Sequence, residues 1–500
     1  MDNGQWTMDN KKVLQRIREF LALFIVTVLP FHAFLVTVGT KLIAGSGHAP
    51  LPLLAAWKEM LLSVILLVAC IEIAAEWKVE RGKMKVKHFA FNMLDWLIVA
   101  LSVLAIIIST FNFQLSTLNW LYGAKYDLLP LVAFVILRRV SWSQWFKDCV
   151  VKVLLWTGSI VGAYGIATFF LPNGFFTALG YSDLHSLYIP GGPLAAFQHI
   201  GGTSIQRIQS VMSGPNQLGL WLLIPLSLML IKGCKKPLHL CTSTLVQLLL
   251  YTIALFLTFS RSAWIGAVVI IGLALWISLP KTKFRRIGFW FPTFAKATAG
   301  WLVSGFFIAM IIFAIKPDVL VRMASTRDHL RRPIAAIQMM IAHPLGLGLG
   351  SAGPASNRTG DACVYLEKGS DTSWAHDHPN LCVFVADQQV QPLTRPCHCP
   401  FLPENWYLQI GVELGVVGLI LYVTLILLLL RKLSAVSCQL SASSSDHVLK
   451  AITLLSFLGI SIAALFLHAW EDAAVAYTLW LLIAIVLCNE RQRETFVDVR

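Results

Sequence analysis

Charged residues are scarce in this sequence. They make up 13% of 500 positions, where soluble domains carry about 25%, and that scarcity excludes a soluble enzyme. No motif repeats at a fixed period, and no pair of broken apolar runs recurs in the two halves as it does in many transporters. The first apolar run follows a basic segment but is too long for a removable signal and lacks a convincing small-residue cleavage site, so it reads as a signal anchor. His343-Pro344-Leu345-Gly346-Leu347-Gly348-Leu349-Gly350 lacks the preceding strand and following Lys-Ser/Thr of a phosphate loop. The ten cysteines match no standard zinc spacing.

What the chain has instead is hydrocarbon: 57% hydrophobic residues and a mean hydropathy of +0.69. The apolar residues form about a dozen runs, each long enough as a helix to cross roughly 30 Å of bilayer core. An all-α polytopic membrane protein with about 12 transmembrane helices is expected. The spans fall at 16–38, 53–75, 92–111, 126–138, 153–171, 216–231, 243–259, 262–279, 298–315, 406–430, 450–468 and 473–489. Residues 1–315 would hold spans one to nine and 316–405 a large extracytoplasmic loop with short amphipathic helices. Spans ten to twelve and a cytoplasmic tail would fill 406–500.

The net charge of +14 does not signal a nucleic-acid partner, because the basic residues sit in short clusters between spans rather than on one stripe. Of the 40 Lys and Arg residues, 27 fall in the N-terminus, the C-terminus and every second loop. Cytoplasmic loops retain such residues, so both termini are expected in the cytoplasm.

Two outward segments, 172–215 and 316–405, are too long to be mere connectors. The second carries Cys363, Cys382, Cys397 and Cys399. These read as a disulfide-stapled surface insert or, with His376, His378 and His398, as a metal site.

Polar residues at span ends are the candidates for chemistry. Arg207 precedes Ser213-Gly214-Pro215-Asn216, and a guanidinium beside a helix start suits a phosphate, or else contacts headgroups. Arg261 sits in a Ser-Arg-Ser hairpin between two spans, where a charge is costly unless used or snorkelling. Arg327 and Arg331 share a helix face beginning at Ser325, with His329 between them. Like charges four apart repel, so a shared anion would explain them, and a basic helix lying on the membrane is the alternative. His343 reads as a helix C-terminal residue before it reads as a base. Glu404 and Asn405 open span ten. Glu404 is either a general base or a first-turn acid favoured by the helix dipole, and Glu413, two turns in, a packing or substrate-facing group.

In this order, Leu121-Tyr122-Gly123-Ala124-Lys125-Tyr126-Asp127-Leu128-Leu129-Pro130, the Arg207 to Gly219 stretch, Ser260-Arg261-Ser262-Ala263-Trp264, the Arg327 to Gly350 segment and Asn405-x-x-Leu leading into Glu413-Leu414-Gly415-x-x-Gly418 resemble the O-antigen ligase and polymerase superfamily of membrane glycosyltransferases. The resemblance implies a polyprenyl-pyrophosphate-linked glycan donor, a lipid or surface glycan acceptor, transfer with inversion on the outer face of a bacterial inner membrane, and no metal or other cofactor. Glu404, Arg207, Arg331 and Arg327 would be catalytic, with Arg261, His329, Lys125, His343 and Asn405 binding substrate. Ligases of this family commonly carry His where this chain has Glu404, so the base is a carboxylate here or a histidine from elsewhere. A polymerase, a protein O-oligosaccharyltransferase and, in another class, a solute transporter are the competing readings.

Overall fold

The computed structural model describes residues 8–46, 48–79, 91–111, 117–182, 195–200, 203–235, 242–278, 323–366, 369–379, 381–386, 388–437, 445–470 and 472–497. Helices dominate, because in hydrocarbon every backbone N–H and C=O needs a partner within its own segment. Helix α1 (Met8–Val28) and α2 (His32–Ala44) are joined by a 3-10 turn at Leu29–Phe31 containing Pro30, which lacks the N–H that a continuous helix requires. Then follow α3 (Pro52–Val79), α4 (Met93–Phe111), α5 (Thr117–Gly123), a π turn (Ala124–Leu128), α6 (Leu129–Leu137), α7 (Gln144–Phe169) and α8 (Asn173–Ala178). Ser143 caps α7 by accepting from Phe146 N at 3.2 Å.

Next come α9 (Pro215–Lys235), α10 (Thr242–Leu257), α11 (Arg261–Ser278), α12 (Met323–Ala342), α13 (Gly353–Thr359), α14 (Trp406–Ser437), α15 (Ser445–Ala463) and α16 (Ala473–Val497). Pro215 opens α9 at the position where its missing N–H costs nothing. Helix α9 is buried from Leu218 through Ile231 and packs against α7, α10, α11 and α15, so it is the axis of the bundle. The outer helices α3 and α4 leave Leu67, Val103, Ile106 and Ile107 exposed, as lipid-facing surfaces should.

Eleven of the twelve expected spans coincide with helices. Seven helical segments among the described residues are long and apolar enough to cross a membrane, and Ser243–Leu257, Arg261–Leu275 and Ala473–Cys488 are shorter apolar helices. The ninth span, 298–315, lies outside the described residues. Span eleven ends at Ala463, five residues earlier than its hydropathy indicated, leaving His468 in the loop before α16.

The expectation of an all-α chain needs correction in the loops. A strand pair joins β1 (Gln198–His199) to β2 (Gln206–Arg207), and the cysteine insert is a three-stranded sheet. There β3 (Cys363–Leu366) runs parallel to β4 (Cys382–Val385), which pairs antiparallel with β5 (Gln388–Gln391). Among its described residues the 316–405 loop therefore carries the long amphipathic helix α12, the short α13 and a sheet.

The bundle has two polar ends. At one, Arg18 of α1 meets Glu72 of α3, Arg138 and Arg139 after α6 meet Asp95 of α4, and Lys147 of α7 meets Asp446 of α15. The other gathers the starts of α9, α11 and α14, the ends of α10 and α15, and the segment 343–405.

Candidate active site

The start of α14 fixes the site. Asn405 caps it, its Oδ1 accepting from Leu408 N at 3.0 Å, while its Nδ2 donates to Leu465 O at 2.9 Å. Trp406 is buried in the core, and its N–H donates to Ala464 O at 2.9 Å. With both following residues fixed, Glu404 takes a left-handed conformation at φ 54°, which costs a non-glycine residue about 1–3 kcal/mol.

That conformation brings Glu404 to α12. Its Oε2 lies 2.5 Å from His329 Nδ1, and its Oε1 accepts from the guanidinium of Arg332. His329 and Arg332 are three residues apart, so they share a helix face. Burial pushes the Glu404 pKa up, but the hydrogen bond and charge of His329, with Arg332 and His468, outweigh it and hold the group below the ordinary carboxylate range. His468 is itself buried. Desolvation drives its pKa down to about 4, against the pull of the Glu404 charge and with the help of Arg332 and His329. Arg261, the first residue of α11, also interacts electrostatically with Glu404. The His329 and Arg332 side chains remain 36% and 41% exposed, which leaves the pair open to a substrate.

Arg207 is placed by other means. Strand β2 points its buried guanidinium at the hairpin between α10 and α11 and at the start of α9. It donates to Thr258 O at 3.0 Å, Gln198 Oε1 at 3.2 Å and Asn216 Oδ1 at 2.9 Å. These three contacts fix the orientation of the fork.

The remaining expected site residues scatter. Arg331 is exposed and has no hydrogen-bond or ion-pair partner among the described residues, whereas its neighbour Arg332, which the spacing argument passed over, meets Glu404. The Arg327 side chain lies outside the described residues. Asn405 is a cap, and His343 is exposed at the end of α12 with its N–H donating to Met339 O. Lys125, in the π turn, forms an ion pair with Glu59 at 2.8 Å. His468, the other residue passed over, is a lone histidine in an apolar loop, a pattern with little sequence signal.

The two glycine motifs form one clasp. Glu413 Oε1 accepts from Gly350 N at 3.0 Å and Ala352 N at 3.2 Å, and Val416 N donates to Pro344 O at 3.0 Å. Gly415 breaks α14 at φ 68°, ψ −174°, where a Cβ would sit 2.4 Å from Pro344 O. Glu413 is thus engaged in packing, holding the glycine turn and the end of α12 on α14.

The insert's thiols are spent in two disulfides, Cys363–Cys399 and Cys382–Cys397, so they cannot act as thiolate ligands and the metal alternative for them is dropped.

Residues 246–423 match the family model described as O-antigen ligase. The chain carries a domain of the O-antigen ligase superfamily. The matched stretch runs from α10 into α14 and takes in Arg261, His329, Arg332, Glu404 and Glu413. No curated protein matches the chain. The matched domain implies, in general terms, a glycosyltransferase-like enzyme activity with a lipid-linked glycan and an acceptor as partners, and the helices long and apolar enough to cross a membrane indicate a multi-pass membrane protein.

Proposed function

We propose that this protein is an O-antigen ligase-like enzyme of a bacterial inner membrane. It transfers a glycan from a polyprenyl-pyrophosphate donor to an acceptor hydroxyl on the outer face, with inversion and without a metal. The observation that carries this reading is the Glu404 carboxylate held between His329 and Arg332. The family's usual histidine is replaced by Glu404, and α12 brings an imidazole back against it.

With Nδ1 turned to the carboxylate, His329 presents Nε2 as a lone-pair acceptor, and Glu404 stabilises the imidazolium that forms. The bond from the anomeric carbon to the pyrophosphate oxygen breaks, its electron pair leaving with the phosphate. The acceptor oxygen bonds that carbon from the opposite face, and its proton passes to Nε2. Arg332, Arg261 and Arg207 counter the charge growing on the leaving group, which is where fixed cations lower a barrier most. Placing this end outside, with both termini in the cytoplasm, accords with the 27 basic residues gathered at the termini and in alternate loops.

The test is transfer in proteoliposomes containing a polyprenyl-pyrophosphate glycan and an extracted envelope acceptor, followed by product mass. His329→Ala, Glu404→Gln and Arg332→Ala are each expected to lose at least about 100-fold, the cost of removing a positioned base or charge stabiliser. Full transfer by both His329→Ala and Glu404→Gln would refute the site as drawn. Solute flux with no transfer to any acceptor would favour a transporter.

A further inference from the structure

Helix α12 presents three distinct faces. One packs on α14: Ala336 and Met340 are buried against Val412, Leu408 and Leu419, and this is the side that delivers His329 and Arg332 to Glu404. A second is apolar yet open. Leu330, Ile334, Ile337 and Ile341 recur at the three-to-four-residue spacing of one helix face, and Ile341 is 75% exposed, with Leu345 just beyond the helix at 77%. Between these faces lies a polar flank with exposed Arg331 and Gln338.

The open apolar face is continuous with a membrane surface. Where α12 meets α14, the adjoining residues of that transmembrane helix, Val416, Val417 and Ile420, are 41%, 54% and 59% exposed inside an apolar span. Exposed apolar residues of a span face lipid, so the stripe of α12 extends the same hydrocarbon-facing belt sideways. Water is a poor alternative, since large contiguous apolar patches are rarely left to it. Arg331, exposed beside the stripe and without a hydrogen-bond or ion-pair partner among the described residues, is placed as snorkelling cations are placed on interfacial helices.

We infer that α12 lies in the outer leaflet of the bilayer, its Leu330–Ile341 stripe among phospholipid acyl chains and Arg331 on a lipid phosphate. Arg331 is then a lipid contact and Arg332 a substrate contact, although they are consecutive in sequence. The leaflet sets the height of His329 and Arg332. This second consequence rests on the proposed reaction, whose donor is itself a lipid; the placement of α12 does not.

The test uses the full chain in nanodiscs of phosphatidylethanolamine and phosphatidylglycerol, with the photo-crosslinker benzoylphenylalanine placed at Ile337, Ile341 or, as a control, Tyr365 in the insert. Lipid adducts read by mass spectrometry are expected at Ile337 and Ile341 and at least tenfold fewer at Tyr365. Adducts equal at all three positions, or absent from Ile337 and Ile341, would overturn the inference. This readout needs no turnover, so it stands even if no glycan transfer is found. In transfer assays, Arg331→Gln is expected to raise KM for a long-chain donor about fivefold and leave a water-soluble short-chain donor unchanged. Loss of kcat with both donors would instead make Arg331 a pyrophosphate ligand and defeat its assignment to lipid.

Discussion

Arginines gather at both ends of this bundle, and the partners they are given differ. At one end, Arg18 forks onto Glu72 with contacts of 2.9 and 3.1 Å, donates to Ser141 O at 2.7 Å and stacks 4.1 Å from the Trp142 ring. Arg138 and Arg139 both reach Asp95. Charge there is closed on charge and shut away from solvent. At the other end Arg207 donates to a carbonyl and two side-chain amides, and Arg332 shares one carboxylate with a histidine while 41% exposed. The first arrangement locks helices together. The second keeps the His329 and Arg332 side chains partly exposed, so the positive charge of Arg332 can meet a substrate, which is what stabilising a departing pyrophosphate requires.

The contrast is broken most sharply at Arg332. Arg332→Ala should lower transfer by about 10³-fold, or ~4 kcal/mol, with little change in thermal stability, since its partner Glu404 keeps His329. Arg207→Lys should fail to rescue Arg207→Ala, because a single ammonium cannot span three acceptors arranged for a guanidinium. Initial rates in proteoliposomes check both. Wild-type rates for Arg332→Ala would reduce the outer end to another structural lock.

The reverse is expected at the other end. Arg18→Met leaves the Glu72 carboxylate buried without its guanidinium and should cost about 3–5 kcal/mol of stability, while the double change Arg18→Met with Glu72→Leu should recover most of it. Transfer per folded molecule should stay unchanged in both. Unfolding in detergent, followed by loss of helical signal, checks the stability, and a rate defect in the folded fraction would show that the two ends are coupled.

Acid should separate the two ends as well. His468 titrates near 4 when folded against 6.5 in the free side chain, so the unfolded chain binds the proton first. Stability is therefore full above about pH 6.5 and falls as pH drops toward 4, by roughly 3 kcal/mol in all. Glu404, held below 4.5, adds its own loss only as pH falls through that lower value. A pH series of unfolding midpoints should show a steeper first decline in wild type than in His468→Asn. An identical slope in the variant would remove His468 from the site's electrostatics.

How much of this was legible beforehand follows from which forces act locally. The apolar runs located eleven of the expected spans on helices because hydrophobicity sums along a segment. The Ser-Arg-Ser hairpin and the Glu404-Asn405 start of α14 were legible because capping and charge at a span end are short-range signals. That Arg332 rather than Arg331 meets Glu404 is decided by which face of α12 packs on α14, and that depends on the fit of Met340 against Gly411, which lies on another helix far along the chain. His468 reaches Glu404 only because α15 ends early. Glu413 has the features of a membrane-embedded functional acid until its Oε1 is seen to accept from Gly350 N and Ala352 N, which gives that oxygen a part in holding the glycine turn.

The smallest effect concerns the insert, where no apolar periodicity announced a sheet. Strands of four residues make a marginal sheet in water, and here two disulfides close chain separations of 36 and 15 residues around it. Closing a longer loop removes more entropy from the unfolded chain, so Cys363→Ser with Cys399→Ser should loosen the insert more than Cys382→Ser with Cys397→Ser. The difference is expected to be about 1 kcal/mol. Hydrogen exchange of the β3 to β5 amides checks it, with the amides of α14 as the internal reference. Because the insert is attached to the rest through contacts such as Gly353 N to Phe401 O and Asp361 N to His398 O, faster exchange confined to the sheet would show that the His329–Glu404–Arg332 arrangement is held by α12 and α14 alone. Exchange spreading to the start of α14 would make the staples part of what keeps Glu404 in its left-handed conformation.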